Sequence, residues 1–332
     1  MSETQQILAG DVGGTKTVLC LYELKGQRLR ELRKKVYPSG REGTFDELIR
    51  SFLKLGDAPT AACFGVAGPV HDQRCDATNL PWVIDAKRLG ERCLIDKVRL
   101  LNDLEAAAYG MLHLQNKDFV DLNPHARTMV GHKAVIAAGT GLGEAILFFD
   151  GEHHHAMPTE GGHCDFAPQN AAEEALLGFL RERHPDHVSY ERILAGDGFG
   201  TLYDFLAEMR FANPDPDIEQ EMAQAADRNA VISRHGCEGK DPLCTEAMRM
   251  FCRIYGAEAG NLALKTLPKG GLFIGGGIGP KIRPALVNGE FLKAFLAKGR
   301  MRTAIEHIPI RLALNPEAPL LGAVHGAVHL LD

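Results

Sequence analysis

Two short apolar runs flank a glycine-rich break near the start of the chain. Gln6–Gly10 and Thr17–Leu21 read as strands, and Asp11-Val-Gly-Gly-Thr-Lys16 between them reads as a tight turn. A third strand is expected over Leu29–Tyr37. A helix is expected from Thr44, where Glu47 three residues on completes a capping box and Phe45, Leu48, Ile49, Phe52 and Leu53 recur at helical spacing. Strands at Ala61–Ala67 and Val98–Leu101 then alternate with helices at Asp85–Leu94 and Leu104–Leu114. The pattern begins again at Ala134–Ala138, a strand, followed by the turn Gly139-Thr-Gly-Leu-Gly143 and the returning strand Glu144–Phe149. Next come mostly helical segments: Ala171–Arg183, Tyr190–Leu194, Thr201–Arg210, Ile218–Ile232 and Leu243–Thr266. A strand at Gly271–Ile274 runs into Gly275-Gly-Gly277, and a last strand, Ile308–Leu314, precedes a helix over Leu320–Leu331. Two copies of strand, Gly/Thr turn and strand point to an internal duplication. His153-His-His155 reads as a solvated turn rather than a metal tract.

At 332 residues the chain has length for about two domains. Apolar residues at 45% and charged residues at 24% exclude a disordered, collagen-like or coiled-coil chain. No apolar run reaches the ~18–20 residues of a membrane helix. The nearest candidate, Ala134–Phe149, carries Gly139, Gly141, Gly143 and Glu144. The polar start, Met1–Gln6, does not resemble a signal peptide, so a cytoplasmic protein without a membrane partner is expected. A net charge of −6 argues against a nucleic-acid partner. The eight cysteines form no C-x-x-C pair, which favours reduced, buried thiols over disulfides or structural zinc. Glycine, 36 of 332 residues, is enriched over the usual proportion of about 7%, and its placement carries the information.

Consecutive turn glycines let backbone N–H groups converge on an anion, since no Cβ blocks the approach. Two such turns, each with a threonine hydroxyl, suit a polyphosphate. A carboxylate at Asp11 can hold Mg2+ directly or through water, and no cation close in sequence is expected to compensate it. The Walker pattern fails, because counting from Gly10 it requires glycine where Thr15 stands, and a strand follows instead of a helix. The dinucleotide pattern G-x-G-x-x-G fails as well, since Gly139, Gly141 and Gly143 run into a strand. Each turn alone reads better as a structural hairpin; together with Gly275–Gly277 they favour phosphate binding.

Asn102-Asp103 stands at a strand end and opens a helix. Asp103 reads either as an N-cap or as a carboxylate able to take a proton from an attacking hydroxyl. In Glu160-Gly-Gly-His163 the glycines keep the backbone thin, so both side chains can face one ligand; Glu191 is a third polar position. Carboxylates, an amide and an imidazole in one pocket would suit a polyhydroxylated substrate, though each residue alone also reads as a surface charge or cap.

Seven segments occur in order: Asp11-Val-Gly-Gly-Thr15, Leu101-Asn-Asp103, Ala138-Gly-Thr-Gly-Leu-Gly143, Glu160-Gly-Gly-His163, Asp165-Phe-Ala-Pro168, Glu191-Arg-Ile-Leu-Ala-Gly196 and Gly275-Gly-Gly-Ile278. Together, over residues 6–331, they resemble the bacterial-type ATP-dependent glucokinases of the hexokinase and actin-like ATPase superfamily. The resemblance implies an α/β fold of the actin-like, ribonuclease-H type, in two domains with an interdomain cleft. The expected division is 1–114 plus 315–332 for the smaller domain and 115–314 for the larger. It implies Asp103 as catalytic base. Asn79, Asn102, Asp103, Glu160, His163 and Glu191 are implied as glucose ligands. Asp11, Gly13, Gly14 and Thr15 are implied as the first phosphate loop, Gly139, Thr140 and Gly141 as the second, and Gly276 and Gly277 as neighbours of adenosine. ATP, Mg2+ and glucose are the implied cofactors and partners, in a homodimer. Trp82, beside the implied sugar segment, is expected either to be a partly wet reporter of domain closure or simply to pack the smaller domain.

Two features separate the chain from the broader repressor and sugar-kinase family. Lys16 after Gly-Gly-Thr is common there, but the zinc motif Cys-x-Cys-Gly-x-x-Gly-Cys is absent, and Cys237 and Cys244 do not reproduce its spacing. The segment before Asp11 is also too short for a helix-turn-helix. The implied reaction is transfer of the ATP γ-phosphoryl group to the glucose 6-hydroxyl. A kinase for another hexose and a non-catalytic sugar sensor are the competing readings.

Overall fold

The strand–turn–strand signal at the start of the chain becomes a hairpin. β1 (Thr4–Val12) pairs antiparallel with β2 (Lys16–Lys25), and β2 with β3 (Arg28–Pro38). A computed structural model describes residues 4–40, 43–76, 80 and 82–331. Helix α1 (Phe45–Phe52) starts at Thr44 with both hydrogen bonds of its capping box formed, and it buries Phe45, Leu48, Ile49 and Phe52. Next come β4 (Pro59–Val66), three very short strands, β5 (Val70–His71), β6 (Arg74–Asp76) and β7 (Val83–Asp85), then α2 (Ala86–Cys93), β8 (Lys97–Asn102) and α3 (Asp103–Met111). The five-stranded sheet has the order β3-β2-β1-β4-β8, antiparallel on one side of β1 and parallel on the other.

The second half repeats this plan. β10 (Lys133–Ala138), β11 (Leu142–Phe149) and β12 (His154–Thr159) form the antiparallel part of a six-stranded sheet. β13 (Gly271–Gly275) and β14 (Ile310–Ala313) run parallel to β10, and β9 (Phe119–Asp121) closes the far edge. Between β12 and β13 lie α4 (Ala171–Arg183), α5 (Gly198–Glu208), α6 (Pro216–Gln224), α7 (Arg228–Glu238) and the 25-residue α8 (Pro242–Thr266). Short helices α9 (Ile278–Lys281), α10 (Arg283–Leu286), α11 (Glu290–Phe295) and α12 (Arg302–Ile305) follow β13, and α13 (Ala318–Val328) comes after β14. The duplication read in the two turns is thus a duplication of the sheet.

The chain forms two compact units, residues 1–116 with 315–332, and residues 117–314. In the first, α13 packs on α3 so closely that a methyl group on Gly110 would overlap the Ala318 backbone, and one on Gly322 the Ala106 backbone. On another face of that unit, Phe45 stacks edge-on to Phe64 at 5.1 Å and lies 5.5 Å from Trp82. Trp82 is only 3% exposed. The expectation of a wet indole is therefore corrected: Trp82 is a core residue, and burying such an aromatic adds a few kcal/mol of stability. In the second unit α8 is buried on nearly every side, between Asp241, whose carboxylate accepts Cys244 N–H at 2.7 Å, and Leu267, which ends it in the left-handed region.

Three further expectations change. The single helix over Ile218–Ile232 is two helices, because the Asp227 carboxylate accepts Asn229 N–H and starts α7 anew. Tyr190–Leu194 is one 3-10 turn, Tyr190–Arg192. The histidine run is a turn only at its first residue: Asp150 Oδ1 accepts Glu152 and His153 N–H to make the turn, and His154 and His155 begin β12. Six of the cysteines are buried, Cys237 is half-buried and Cys164 is exposed; all are free thiols. Among the described residues no helix is long and apolar enough to cross a membrane.

Candidate active site

In the first unit, β1 delivers Asp11 to the turn that joins it to β2. Gly13 N–H donates to Lys16 O across the turn (3.0 Å). Ser39, just past β3, straps it: its N–H donates to Thr15 O (3.0 Å) and its hydroxyl to Gly13 O (2.6 Å). Gly14 and Thr15 are exposed at the tip, as an anion-binding turn requires. Burial raises the Asp11 pKa above the usual carboxylate range. The Lys16 charge opposes the shift, and the Asp103 charge adds to it. Lys16 therefore supplies the cation that the sequence did not seem to offer.

Asn102 ends β8 and caps α3. Its Oδ1 accepts Leu104 N–H at 2.9 Å and its Nδ2 donates to Gly68 O at 3.0 Å. Of the two readings of Asp103, the cap passes to its neighbour: Asn102 is the N-cap, and Asp103 is the first helical residue, exposed, with Oδ1 2.8 Å from Leu104 N. Asp11 and Asp103 sense each other's charge, so this end of the sheet carries two interacting carboxylates. A divalent ion would relieve that repulsion. Among the described residues no three His, Cys, Asp or Glu side chains cluster as a metal-binding set. Mg2+ would therefore need oxygens from a phosphate as well.

In the second unit the turn Gly139–Gly141 joins β10 to β11, with Gly139 N–H donating to Gly141 O at 2.8 Å. Gly276, at φ +80°, sits against the Ala138 backbone where no side chain fits. A Cβ on Gly139 would be 4.0 Å from Gly277 N, and one on Gly196 would be 3.7 Å from Gly139 O. Residues 139–141, 196 and 276–277, distant in sequence, thus form one thin-walled backbone cluster. In the sequence Gly196 carries no signal beyond its place at the end of the Glu191 segment.

Glu160 precedes the 3-10 turn Gly161–His163, and His163 N–H donates to Glu160 O at 3.0 Å. The two glycines do more than thin the backbone. A methyl group on Gly162 would overlap the Leu142 carbonyl, and one on Gly161 the Glu144 carboxyl, so the turn lies directly on β11. Tyr190 N–H donates to Cys164 O (3.1 Å) and Phe166 N–H to Val188 O (3.0 Å), which brings Glu191 beside His163. The His163 Nε2 to Glu191 Oε1 distance is 3.7 Å. Glu191 Oε2 accepts Leu142 N–H at 2.9 Å and stands 2.5 Å from where a Gly141 Cβ would be. One carboxylate therefore touches both the polar cluster and the glycine turn. Thr140, Glu160 and His163 are exposed. Asn79 lies outside the described residues.

A sequence model of the glucokinases matches residues 8–330. A glucokinase of Trichormus variabilis is 40% identical over 339 aligned residues, covering 98% of this chain and 99% of that protein. The chain belongs to the glucokinase family. The crystal structure of a glucokinase from an Antarctic psychrotroph superposes with a TM-score of 0.86 at 28% identity, over 98% of this chain and 99% of that one. A Streptomyces griseus glucokinase of the ROK family, solved with glucose and AMPPNP, shares the fold alone, at TM-score 0.63 and 20% identity, covering 98% and 99% of the two chains. The fold of this glucokinase-family chain is the two-domain, actin-like α/β fold of sugar kinases.

Proposed function

We propose that the chain transfers the γ-phosphoryl group of ATP to the 6-hydroxyl of glucose, giving glucose 6-phosphate and ADP. What carries this reading is the match to glucokinases across residues 8–330. Asp103, exposed at the head of α3, accepts the hydroxyl proton as the new bond forms. Asn102 fixes that carboxylate by capping the helix, and presents its amide on the same turn as a sugar contact. Asn79 is assigned to the sugar by resemblance alone. Glu160, His163 and Glu191 hold sugar hydroxyls, the carboxylates accepting and the imidazole donating or accepting. Gly13, Gly14 and Thr15 in one unit, and Gly139, Thr140 and Gly141 in the other, offer N–H groups to phosphate oxygens, with Gly276 and Gly277 near adenosine. Asp11 would hold Mg2+, directly or through water. When bound, the ion neutralises charge on the phosphates. The protein acts in the cytoplasm as a homodimer.

Coupled ADP-release assays over glucose, mannose, fructose and an N-acetylated hexose test the reading. The highest kcat/KM is expected with glucose. A higher value with another hexose would reassign the substrate, and ATP- and sugar-binding without ADP release would favour a sensor. Sedimentation of the purified protein tests the dimer.

A further inference from the structure

Glu144 takes no part in the reaction as described, yet it is only 1% exposed and stands on β11 three residues after Gly141. Its carboxyl fills the space under Gly161. Thr159 Oγ1 donates to Glu144 O (3.0 Å) and accepts Gly161 N–H (3.1 Å), which closes the turn over the same residue. Beneath, the carboxyl meets Glu258 of α8, which is fully buried and within hydrogen-bonding reach. Glu258 Oε2 accepts from Asn261 Nδ2 at 2.8 Å, while its Oε1 lies 3.6 Å from Lys265 Nζ, beyond a hydrogen bond. Oε1 of Glu144 and Oε1 of Glu258 are both buried without a donor among the described residues. As two carboxylates they would repel and leave two acceptors unmet. One proton removes the repulsion and supplies the missing donor.

We propose that Glu144 and Glu258 share one proton and that the pair is the floor that positions the Glu160–His163 turn, making Glu144 a positioning residue for sugar binding. The proposal rests on reading that turn as a sugar contact. The charged and titratable groups around the pair are Lys265 and Tyr255 on α8, Lys298 beyond α11, Tyr190 in its 3-10 turn, and Glu160 and His163 flanking the two glycines. The strand neighbours of Glu144, Ile136 on β10 and Thr159 on β12, do not titrate. Burial first, and then the Glu258 charge, pushes the Glu144 carboxyl far up from the ordinary carboxylate range. Below its titration the pair keeps its proton. Above it, two buried anions push apart, and Gly161, in contact with one of them, shifts the turn.

Glucose KM and kcat measured from pH 6.5 to 9.5 test this. Between pH 7 and 9 glucose KM should rise up to about tenfold, because the protonated fraction falls tenfold per pH unit beyond the pKa, while ATP KM stays nearly flat. Glu144→Gln keeps the shape and a donor but cannot ionise. Its glucose KM should match the native value at pH 7 and stay level to pH 9. A native profile without the rise, or a Glu144→Gln profile that rises equally, overturns the proposal. If Glu144→Gln does not fold, Glu258→Gln removes the second charge instead, and the step should move by at least one pH unit or vanish; an unmoved step overturns the proposal. Calorimetric glucose binding in the same buffers separates this from the kinase reading. Binding with a pH step but no ADP release rejects only the activity. ADP release with pH-independent binding rejects only the shared proton.

Discussion

Replacing Asp103 by asparagine separates chemistry from structure at the head of α3. Asn102, not Asp103, caps the helix and ties it to Gly68, so the cap survives. The bond from Leu104 N–H to Asp103 Oδ1, 2.8 Å, can pass to an asparagine oxygen. The structural loss is one negative charge in the first helical turn, worth about 0.3–1 kcal/mol. Relief of Asp11, which the Asp103 charge disfavours, offsets part of it. For a chain of this size the melting temperature should then move by no more than roughly 4 °C. Loss of a general base costs about 10²–10⁴ in kcat, or roughly 3–5 kcal/mol of transition-state stabilisation. The expected outcome is a kcat collapse at saturating glucose and ATP with a nearly unchanged melt. A folded variant with kcat within about threefold of native would show that Asp103 is not the base.

Glu160→Ala should raise glucose KM about 10–100-fold, the value of a charge-assisted hydrogen bond, with ATP KM unchanged in the same assay. Glu191→Ala should raise both, because Glu191 also holds Leu142 N–H at the glycine turn; a purely sugar-side effect would contradict that bond. His113 and His325 stack at 3.2 Å between centroids, and desolvation first, then neighbouring histidine charge, pulls both pKa values to about 4. The unfolded chain, titrating near 6.5, then binds more protons, so stability should fall as pH drops from about 6.5 to 4. Thermal melts across that range should show a slope that His325→Gln reduces. Cys164 is the one exposed thiol among the described residues, and native labelling should modify it first, a fast phase that Cys164→Ser abolishes.

Local signals were enough for some elements and not for others. The capping box at Thr44 and the apolar face of α1 are written in consecutive residues, and the helical pattern over Ala171–Arg183 coincides with the whole of α4. β5, β6 and β7 have two or three residues each, too few for a periodicity to register. The gap between α6 and α7 hid inside a helical pattern because Asp227 reads as an ordinary polar position until its carboxylate is seen capping α7. The glucokinase motifs were legible because glycines recur in fixed order. What those glycines touch was not: the seat of Gly161 on Glu144 joins residues of different segments, and in sequence Glu144 is merely a charge interrupting an apolar strand. Trp82 misled for the same reason, since Phe45, its partner at 5.5 Å, lies 37 positions earlier.

The glycine-tight seam between α3 and α13 sets an order of events during synthesis. The ribosome makes α3, and with it Asp103, early; α13 emerges only after β14, once all of residues 117–314 have been made. At about 5–20 residues per second that interval lasts on the order of 10–40 s. Until then the faces of Gly110 and Ala106 that α13 will cover are bare, and the helix bearing the proposed base has no partner along them. The first unit is therefore the first begun and the last completed, and a nascent chain stalled anywhere in the second unit should be both inactive and a ready client for chaperones.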